Sequence, residues 1–445
     1  MAGIFGVAGK EGCIRDLFLG TFYQQARKQR YCGLASLDDD LSKHEFCFDT
    51  HRGLVRQQFP KDELKWHKGN LGIGCVDGER QPCVETYKDN TLWLCFDGNI
   101  TNREELRDSF FSKGESFSCN PSSVHDGTIV AKIISRERNF ERGIERLIGM
   151  LQGDFAIAAL SKEGVYAARG WGRKPLVIGR KEGSYAMASE SNSFPNTGFE
   201  IFRDVLPGEV VLLDREGIHE IRKFDLTPQK ICPFEYVYTA YPPSVIDGMP
   251  IVEVRINLGK SLARRFPVNA DFVSPIPNSG RWHAFGYSHE SKIPCVEVFV
   301  RFDYSDRSYT QDEESIVEEA KTKLIIVKAV VVGNRLIIID DSIVRGNQLF
   351  SKAHELKGAG AKQVHARIAC PPLMKACRYG KTTKKDEDCL ARRISIEKRT
   401  DNLDIITEEI RRKLNLDSLG YATVEDLEKA IGMPREKLCL ECWGF

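Results

Sequence analysis

The stretch Leu336-Ile-Ile-Ile-Asp340-Asp341-Ser342-Ile343-Val344-Arg345-Gly346 places two adjacent carboxylates after an apolar run and before a small turn closed by glycine. Two carboxylates at one point can hold ribose hydroxyls or a hydrated magnesium ion. A turn of this kind can offer backbone N–H groups to a phosphate, with the positive end of the next helix behind them. Together they suit a ligand that is both a sugar and a phosphate. Taken alone, an Asp-Asp pair is more often a solvated strand end and helix cap. A second chemistry-bearing pattern is Cys439-Leu-Glu-Cys442, in a chain with 14 cysteines. Such a pair is open to zinc, an iron–sulfur cluster, a redox couple or chance.

Paired acids act on a ligand only where an element delivers them. Leu336 to Ile339, largely β-branched, read as a buried parallel strand. In open α/β sheets, ligands sit at the carboxyl ends of such strands. A helix near 251–265, the segment Ala270-Asp-Phe-Val-Ser-Pro-Ile-Pro277 and a strand from Cys295 to Val300 precede it. A charged helix at about 312–323, a helix at 348–357 and a strand Gln363–Ile368 complete the alternation. This predicts a doubly wound parallel sheet over 229–445. Residues 1–228 read differently. Short apolar strands begin at Leu92, Asp154 and Glu209, and helical spacing appears near 125–136 and 141–150. That mix predicts a layered α+β domain, joined to the other near Lys230-Ile-Cys-Pro233.

Bulk properties narrow the function classes. The 445 residues are 42% hydrophobic and 29% charged, ordinary for a globular protein. A net charge of +1 gives no electrostatic case for nucleic acid or an anionic membrane. No apolar run approaches the ~20 residues of a membrane span. The first residues, Met1-Ala-Gly-Ile-Phe-Gly-Val7, lack a basic, signal-like start. With so many cysteines, that points to a reducing, cytoplasmic setting and to thiols or metal ligands rather than disulfides.

The full Asp340-Asp341-Ser-Ile-Val-Arg-Gly346 string resembles the phosphoribosyl-diphosphate (PRPP) motif of the type I phosphoribosyltransferases, in the form found in the amidophosphoribosyltransferases. The similarity extends over nearly the whole chain. It includes Cys232-Pro-Phe-Glu-Tyr-Val-Tyr-Thr-Ala-Tyr-Pro-Pro-Ser244, Ala270 to Gly280, Tyr304-Ser-Asp-Arg-Ser-Tyr309 and Asn415 to Tyr421. The resemblance implies an N-terminal Ntn-type αββα layered glutamine amidotransferase domain (1–228) and a C-terminal type I phosphoribosyltransferase sheet (229–445). It implies a homodimer or homotetramer, with PRPP, a small nucleophile and purine nucleotide effectors as partners.

What it implies for the sites is mixed. Asp340 and Asp341 would meet the ribose and, through water, magnesium. Ser342, Ile343, Val344, Arg345 and Gly346 would wrap the 5′-phosphate. Asn347 stands where the family has threonine, and Ser279 belongs to the Pro277-Asn-Ser-Gly280 turn. Arg307, in Arg307-Ser-Tyr-Thr310, would open a lid over the diphosphate. Five acids follow it between Asp312 and Glu319 where the family is basic. In the other half, Ala2 stands where the family has its nucleophilic cysteine. Asp77 replaces the arginine that pairs the glutamine carboxylate. Asp97-Gly98 replaces the Asn-Gly oxyanion donor, and an ionised Asp97 cannot donate there. Asp126 matches the acid for the substrate amine, and by itself reads as a helix cap. Cys232, Cys377, Cys439 and Cys442 match the positions that hold a [4Fe–4S] cluster in one branch of the family, with zinc as the other candidate. The expected activity is phosphoribosyl transfer to ammonia or another nucleophile without glutamine hydrolysis. The alternative is an inactive paralogue that senses PRPP or nucleotides or binds a partner.

Overall fold

The computed structural model describes residues 1–38, 46–60, 64–65, 67–88, 90–119, 124–302, 324–380, 383 and 385–445. The expected 312–323 helix, and Arg307 with its lid, lie outside these residues. The chain divides into two compact units. One is Met1–Cys232 with Ala240–Pro250 and Arg378–Lys381; the other is Pro233–Thr239 with Ile251–Cys377 and Thr382–Phe445.

The first unit carries β1 (Gly3–Gly9), β2 (Tyr31–Leu37), β3 (Phe46–Arg52), β4 (Leu71–Asp77), β5 (Cys83–Tyr87), β6 (Asn90–Ile100), β7 (Gly153–Ser161) and β8 (Gly164–Arg169). It continues with β9 (Val177–Lys181), β10 (Ser184–Ala188), β11 (Glu200–Asp204), β12 (Glu209–Leu213), β13 (Ile218–Lys223) and a small hairpin of β14 (Val245–Ile246) and β15 (Met249–Pro250). Two antiparallel sheets result, ordered β11-β9-β10-β1-β4-β2-β3 and β13-β12-β8-β7-β6-β5. Strand alternation explains the layering. Along β1, Ile4 and Ala8 join Ile73 and Cys75 of β4, Cys95 of β6 and Ala158 of β7 in the core between the sheets. Phe5 and Val7 face the other way, onto Leu17 of α1 (Ile14–Tyr23). The second sheet is covered by α3 (Asp126–Ser135) and α4 (Phe140–Met150), and α2 (Arg103–Ser112) adds Leu106 and Phe110 to the same core. In α4, Phe140, Gly143, Ile144 and Leu147 form the buried stripe, and the Asn139 side chain caps the helix by accepting from Arg142 N–H at 2.9 Å. The helix–sheet–sheet–helix layering is the expected one.

The second unit is organised by β16 (Phe272–Pro275), β19 (Arg335–Asp340), β20 (Gln363–Ile368) and β21 (Ser418–Tyr421), all parallel and in that spatial order. A two-stranded pair, β17 (Phe299–Arg301) and β18 (Leu324–Ile326), stands apart from this sheet. The helices are α5 (Ile251–Arg265), α6 (Arg281–Ser291), α7 (Asn347–Gly358), α8 (Leu390–Lys398), α9 (Leu403–Lys413) and α10 (Val424–Ile431). α6 packs on β16 and β19, α7 on β20 and α9 on β21. α5 and α6 cross in backbone contact at Gly259 and Gly286. A Cβ on Gly259 would meet the His283 carbonyl at 2.0 Å, and one on Gly286 the Ile256 carbonyl at 2.0 Å.

One expected strand is shorter than its apolar run. Cys295 makes only an isolated bridge to Val273, and the regular strand starts at Phe299. Between them Glu297 turns to Arg281 at 2.7 Å, and Val298 N–H donates to Ser274 Oγ at 3.0 Å. Val298 N–H thus goes to a side chain where a ladder would give it a carbonyl.

Candidate functional site

β19 delivers the acid pair. Leu336 to Ile339 are at most 1% exposed, each paired on both edges, so the strand is fixed by burial on all sides. Asp340 and Asp341 end it and are themselves buried. Asp341 N–H donates to Asp340 Oδ1 at 2.9 Å, Ser279 Oγ approaches the same oxygen at 3.4 Å, and Ser342 Oγ donates to Asp341 Oδ2 at 2.5 Å. Burial pushes the Asp340 carboxyl well above the usual carboxylate range, and the Asp341 charge adds to the shift. The cost of ionising both acids there falls when a cation or hydroxyl donors are present, so the site favours them.

One neighbour escaped the sequence reading. Partial burial, and then the charges of Asp341 and Asp340, push up the phenol of the half-exposed Tyr238. Tyr238 belongs to the π-helical turn Glu235–Thr239, whose carbonyls at Tyr236 and Tyr238 are gripped by the buried Arg255 at 2.8 and 3.0 Å. The signal lay within Glu235-Tyr-Val-Tyr238, but no local pattern links that segment to a strand about a hundred residues on.

After the acids the chain makes a tight turn. Ile343 is buried and the Val344 carbonyl accepts Leu390 N–H at 2.7 Å. The Arg345 side chain reaches Asp388 at 3.0 Å, and Arg393 donates to the Arg345 carbonyl at 3.1 Å. Gly346 caps α7 with φ +83°, a conformation that glycine adopts without strain, and a Cβ there would strike Leu390 at 2.6 Å. α7 then begins at Asn347, with no side-chain cap. Asp340, Asp341, Ser342 and Ser279 are thus brought together, and Ile343 to Asn347 form the turn beside them.

The first unit assembles its own charged cluster. Ala2 N–H donates to Asp97 Oδ1 at 2.8 Å, and Arg27 reaches Asp97 Oδ2 at 3.2 Å, Glu190 at 2.8 Å and the Ala2 carbonyl at 2.9 Å. Lys174 stands 3.8 Å from Asp97. Burial alone would raise the Asp97 pKa, but Lys174, Arg27 and the amine of Met1 hold the carboxyl below its ordinary range. Asp97 therefore stays an anion that accepts bonds. Gly98 follows it, where a Cβ would meet the Asp154 carbonyl at 2.3 Å. Asp77 accepts from Gln81 Nε2 at 2.8 Å, and Gln81 is clamped in turn to the backbone of Phe96. Asp126 does not cap its helix. His125 and the Thr128 hydroxyl close α3, and Asp126 instead accepts Ile100 N–H at 3.2 Å, tying α3 to β6. The reason is position: Asp126 lies in the first turn, one residue past the cap.

The 14 cysteines are thiols rather than disulfides. Cys439 is buried, and Cys232, Cys377 and Cys442 are half-buried. Met374 and Lys375 N–H groups donate to the Cys442 carbonyl at 2.9 and 3.1 Å, which binds the tail to the segment leading into Cys377. Trp443 stacks on Phe234 with centroids 5.5 Å apart. Among the described residues, no three His, Cys, Asp or Glu side chains are grouped as a metal site.

Residues 69–196 match the model of a glutamine amidotransferase domain. The chain is 33% identical over 462 residues to the amidophosphoribosyltransferase of Methanothermobacter thermautotrophicus, covering 99% of this chain and 92% of that relative. To the amidophosphoribosyltransferase of Bacillus subtilis it is 31% identical, covering 99% and 92%. Among solved structures, the glutamine PRPP amidotransferase of B. subtilis, complexed with ADP and GMP, superposes with a TM-score of 0.88 at 30% identity, covering 99% of this chain and 96% of that one. Another, described as the allosteric regulatory enzyme of purine biosynthesis, gives a TM-score of 0.87 at 30% identity. Likeness of this extent, across both units, shows that the chain belongs to the amidophosphoribosyltransferase family.

Proposed function

We propose that the chain transfers a phosphoribosyl group from PRPP to ammonia or another small nucleophile, in purine-type nucleotide synthesis, without hydrolysing glutamine. The observation that carries this is the buried pair Asp340–Asp341 at the end of a parallel strand, held by Ser279, Ser342 and the Asp341 N–H and uncompensated by a cation among the bonds described. Asp340 and Asp341 would orient the ribose hydroxyls. The turn Ser342–Asn347 would present N–H groups to the 5′-phosphate, and Ser279 would lie beside the leaving group. The nucleophile adds at the ribose carbon as its bond to diphosphate breaks, so the protein's tasks are orientation, charge balance and exclusion of water. The donor chemistry of the two carboxylates fits magnesium, which would neutralise the departing diphosphate.

Loss of glutamine hydrolysis is supported by the first unit. Position 2 is alanine, and Asp97 is locked as an acceptor by Arg27, Lys174 and Ala2 N–H. Neither offers a nucleophile or an oxyanion donor. For a cluster, four thiols are a suitable donor set, and the Met374 and Lys375 bonds to Cys442 already join two of the segments that would carry it. Cys232, Cys377, Cys439 and Cys442 would hold a [4Fe–4S] cluster, with zinc as the other candidate, and its role would be to tie these segments together, although no three of these thiols are grouped in this structure. A homodimer or homotetramer working in the cytoplasm, with purine nucleotide effectors, completes the reading.

The test is diphosphate release by anaerobically purified protein given PRPP, magnesium and ammonia, and separately glutamine. Release with ammonia alone is expected. Release with glutamine would sink the loss of hydrolysis. No release with either, together with saturable PRPP binding, would leave a sensing role in place of the enzymatic one.

A further inference from the structure

Two thiols that the proposed function leaves unused, Cys83 and Cys119, meet the first turn of α3. Cys83 opens β5 and is 4% exposed. A Cβ on Gly127 would stand 2.8 Å from its sulfur. Glu85 follows two residues on, so its side chain leaves the strand on the same face. Glu85 accepts Ser118 N–H at 2.9 Å and the Ser118 hydroxyl at 2.9 Å. These bonds hold Cys119, the next residue, toward the face that carries Cys83. Cys119 is half-buried, packs on the same core cluster as Cys83 and is hydrogen-bonded to Thr128, the residue after Gly127.

Cys83 also has a base beside it. His125 Nε2 lies 3.9 Å from its sulfur, as does the Arg80 carbonyl. Glu79 Oε2 stands 3.5 Å from the other ring nitrogen, Nδ1. A carboxylate there favours the tautomer protonated at Nδ1 and leaves Nε2 as a proton acceptor. Burial first, and then the charges of Cys95, Cys119, Asp77 and Glu79, push the Cys83 thiol well above its ordinary range. Burial and then Glu85 push Cys119 up, and the Thr128 bond offsets part of this. Both rest as thiols, and a buried thiol this hard to ionise attacks a partner only with a base at hand. Cys119 is the more exposed of the two, so a small oxidant meets it first.

We propose that Cys119 and Cys83 form an oxidation site, at which a peroxide converts the pair to a disulfide and His125 serves Cys83 as the base. In the first step the Cys119 sulfur takes an oxygen from hydrogen peroxide. The O–O bond breaks, an S–O bond forms, and the products are a sulfenic acid and water. In the second step the Cys83 sulfur attacks the Cys119 sulfur. The S–O bond breaks as the S–S bond forms, and the Cys83 proton passes to His125 Nε2 and on to the departing hydroxide, which leaves as water. Two thiols and one peroxide thus give one disulfide and two waters. Glu79 acts through His125, as a positioning residue. The disulfide ties β5 to the segment before α3, the two parts that Glu85 and Ser118 already join. In a reducing setting such a bond is transient and regulatory. The reaction does not depend on the proposed transferase activity.

The test is hydrogen peroxide treatment of the full chain, purified anaerobically, followed by thiol blocking with N-ethylmaleimide and peptide mass spectrometry. Peptides linked through Cys83 and Cys119 are expected, and dithiothreitol should separate them. In Cys83→Ser the same dose should leave Cys119 as a sulfenic acid, trapped by dimedone. His125→Gln should slow the linkage at least about tenfold while Cys119 is oxidised at the wild-type rate. Glu79→Ala should slow it too, and Glu79→Gln, which still offers Nδ1 an acceptor, should restore most of the rate. Cys119 oxidised in Cys83→Ser without any linked peptide in the wild type would overturn the proposal. So would linkage of Cys119 to another cysteine, resistance of Cys119 to the oxidant in both proteins, or an unchanged rate in His125→Gln. Should His125→Gln not fold, Glu79→Ala makes the same test of the base, with the unfolding midpoint as control.

Discussion

Replacing Asp97 by asparagine restores the residue type expected for an oxyanion donor, yet the structure predicts that it destabilises the first unit. Asp97 is 1% exposed, and the Arg27 side chain beside it is inaccessible. Removing one partner of a buried ion pair costs about 3–5 kcal/mol. Glu190 keeps hold of Arg27 at 2.8 Å, and an asparagine Oδ1 can still accept Ala2 N–H. Those two retained bonds put the expected loss near the lower end, about 3 kcal/mol. Amide hydrogen exchange read by mass spectrometry on peptides from β1 and β6 reports this unit separately from the other. Global opening there should become about a hundredfold more frequent. The acid limb gives a second reading. Because the folded Asp97 pKa lies below its ordinary value, its contribution is present above the unfolded pKa and is lost as pH falls through the folded one. The Asn variant should therefore lose the acid dependence due to this residue. Exchange within threefold (about 0.6 kcal/mol) of the wild type would refute the argument that the cluster depends on the Asp97 charge.

Asp204, pushed up to about 6 by burial and then by Asp247, has the opposite sign: its contribution is present below the unfolded pKa of 3.8 and is lost as pH rises through about 6. A loss of up to about 3 kcal/mol between pH 4 and 7 is expected in urea titrations, and Asp204→Asn should flatten it. Gly259→Ala sets a methyl 2.0 Å from the His283 carbonyl and should cost the second unit about 3 kcal/mol, read from its denaturant midpoint. Asp341→Asn removes the charge that helps to raise Asp340; diphosphate release should fall at least about a hundredfold, with the Asp340 carboxyl moving back toward its ordinary value in a pH–rate profile. Cys442→Ser should lower the iron content of anaerobically purified protein, and an unchanged iron to protein ratio would remove Cys442 from the cluster.

Sequence periodicity carried the second unit well where burial and period agree. α5 and β20 have the expected limits, because their apolar positions repeat at helical and strand spacing and nothing competes for them. It failed at Cys295–Val300, where the residues are apolar enough for a strand but Glu297 and Val298 are drawn to Arg281 and Ser274. Those partners are distant in sequence, so no local pattern announces them. The same holds for the site. Asp340 and Asp341 were legible because acids at a strand end form a contiguous motif. Tyr238 was not, because Arg255 gripping a π-helical turn, and no local pattern, sets its phenol within reach of their charges. Arg27 was missed in the first unit for a different reason: an arginine in a polar run, Gln24-Gln-Ala-Arg-Lys-Gln29, reads as solvated surface. Only the fold shows that it is buried between Asp97 and Glu190.

The acid pair and the phosphate turn owe their shape to different parts of the second unit, and this decides which changes each will feel. The pair is set by β19, which is bonded on both edges and buried on both faces, so a substitution that leaves this sheet intact leaves Asp340 and Asp341 where they are. The turn has no such frame. Its Val344 carbonyl is held by Leu390, its Arg345 side chain by Asp388, its Arg345 carbonyl by Arg393, and its glycine by contact with Leu390. All four holds come from the segment 388–393, at the start of α8. A change there moves the N–H groups that would face a phosphate while sparing the carboxylates that would face a ribose. Leu390→Ala, which empties the space against Gly346 but keeps the Leu390 N–H, isolates the packing part of that support. A buried leucine truncated to alanine costs about 2–5 kcal/mol. Affinity for PRPP should fall while affinity for ribose, which needs only the acid pair, stays. Equal losses for both would mean that turn and acids move as one body, and that α8 supports the whole site.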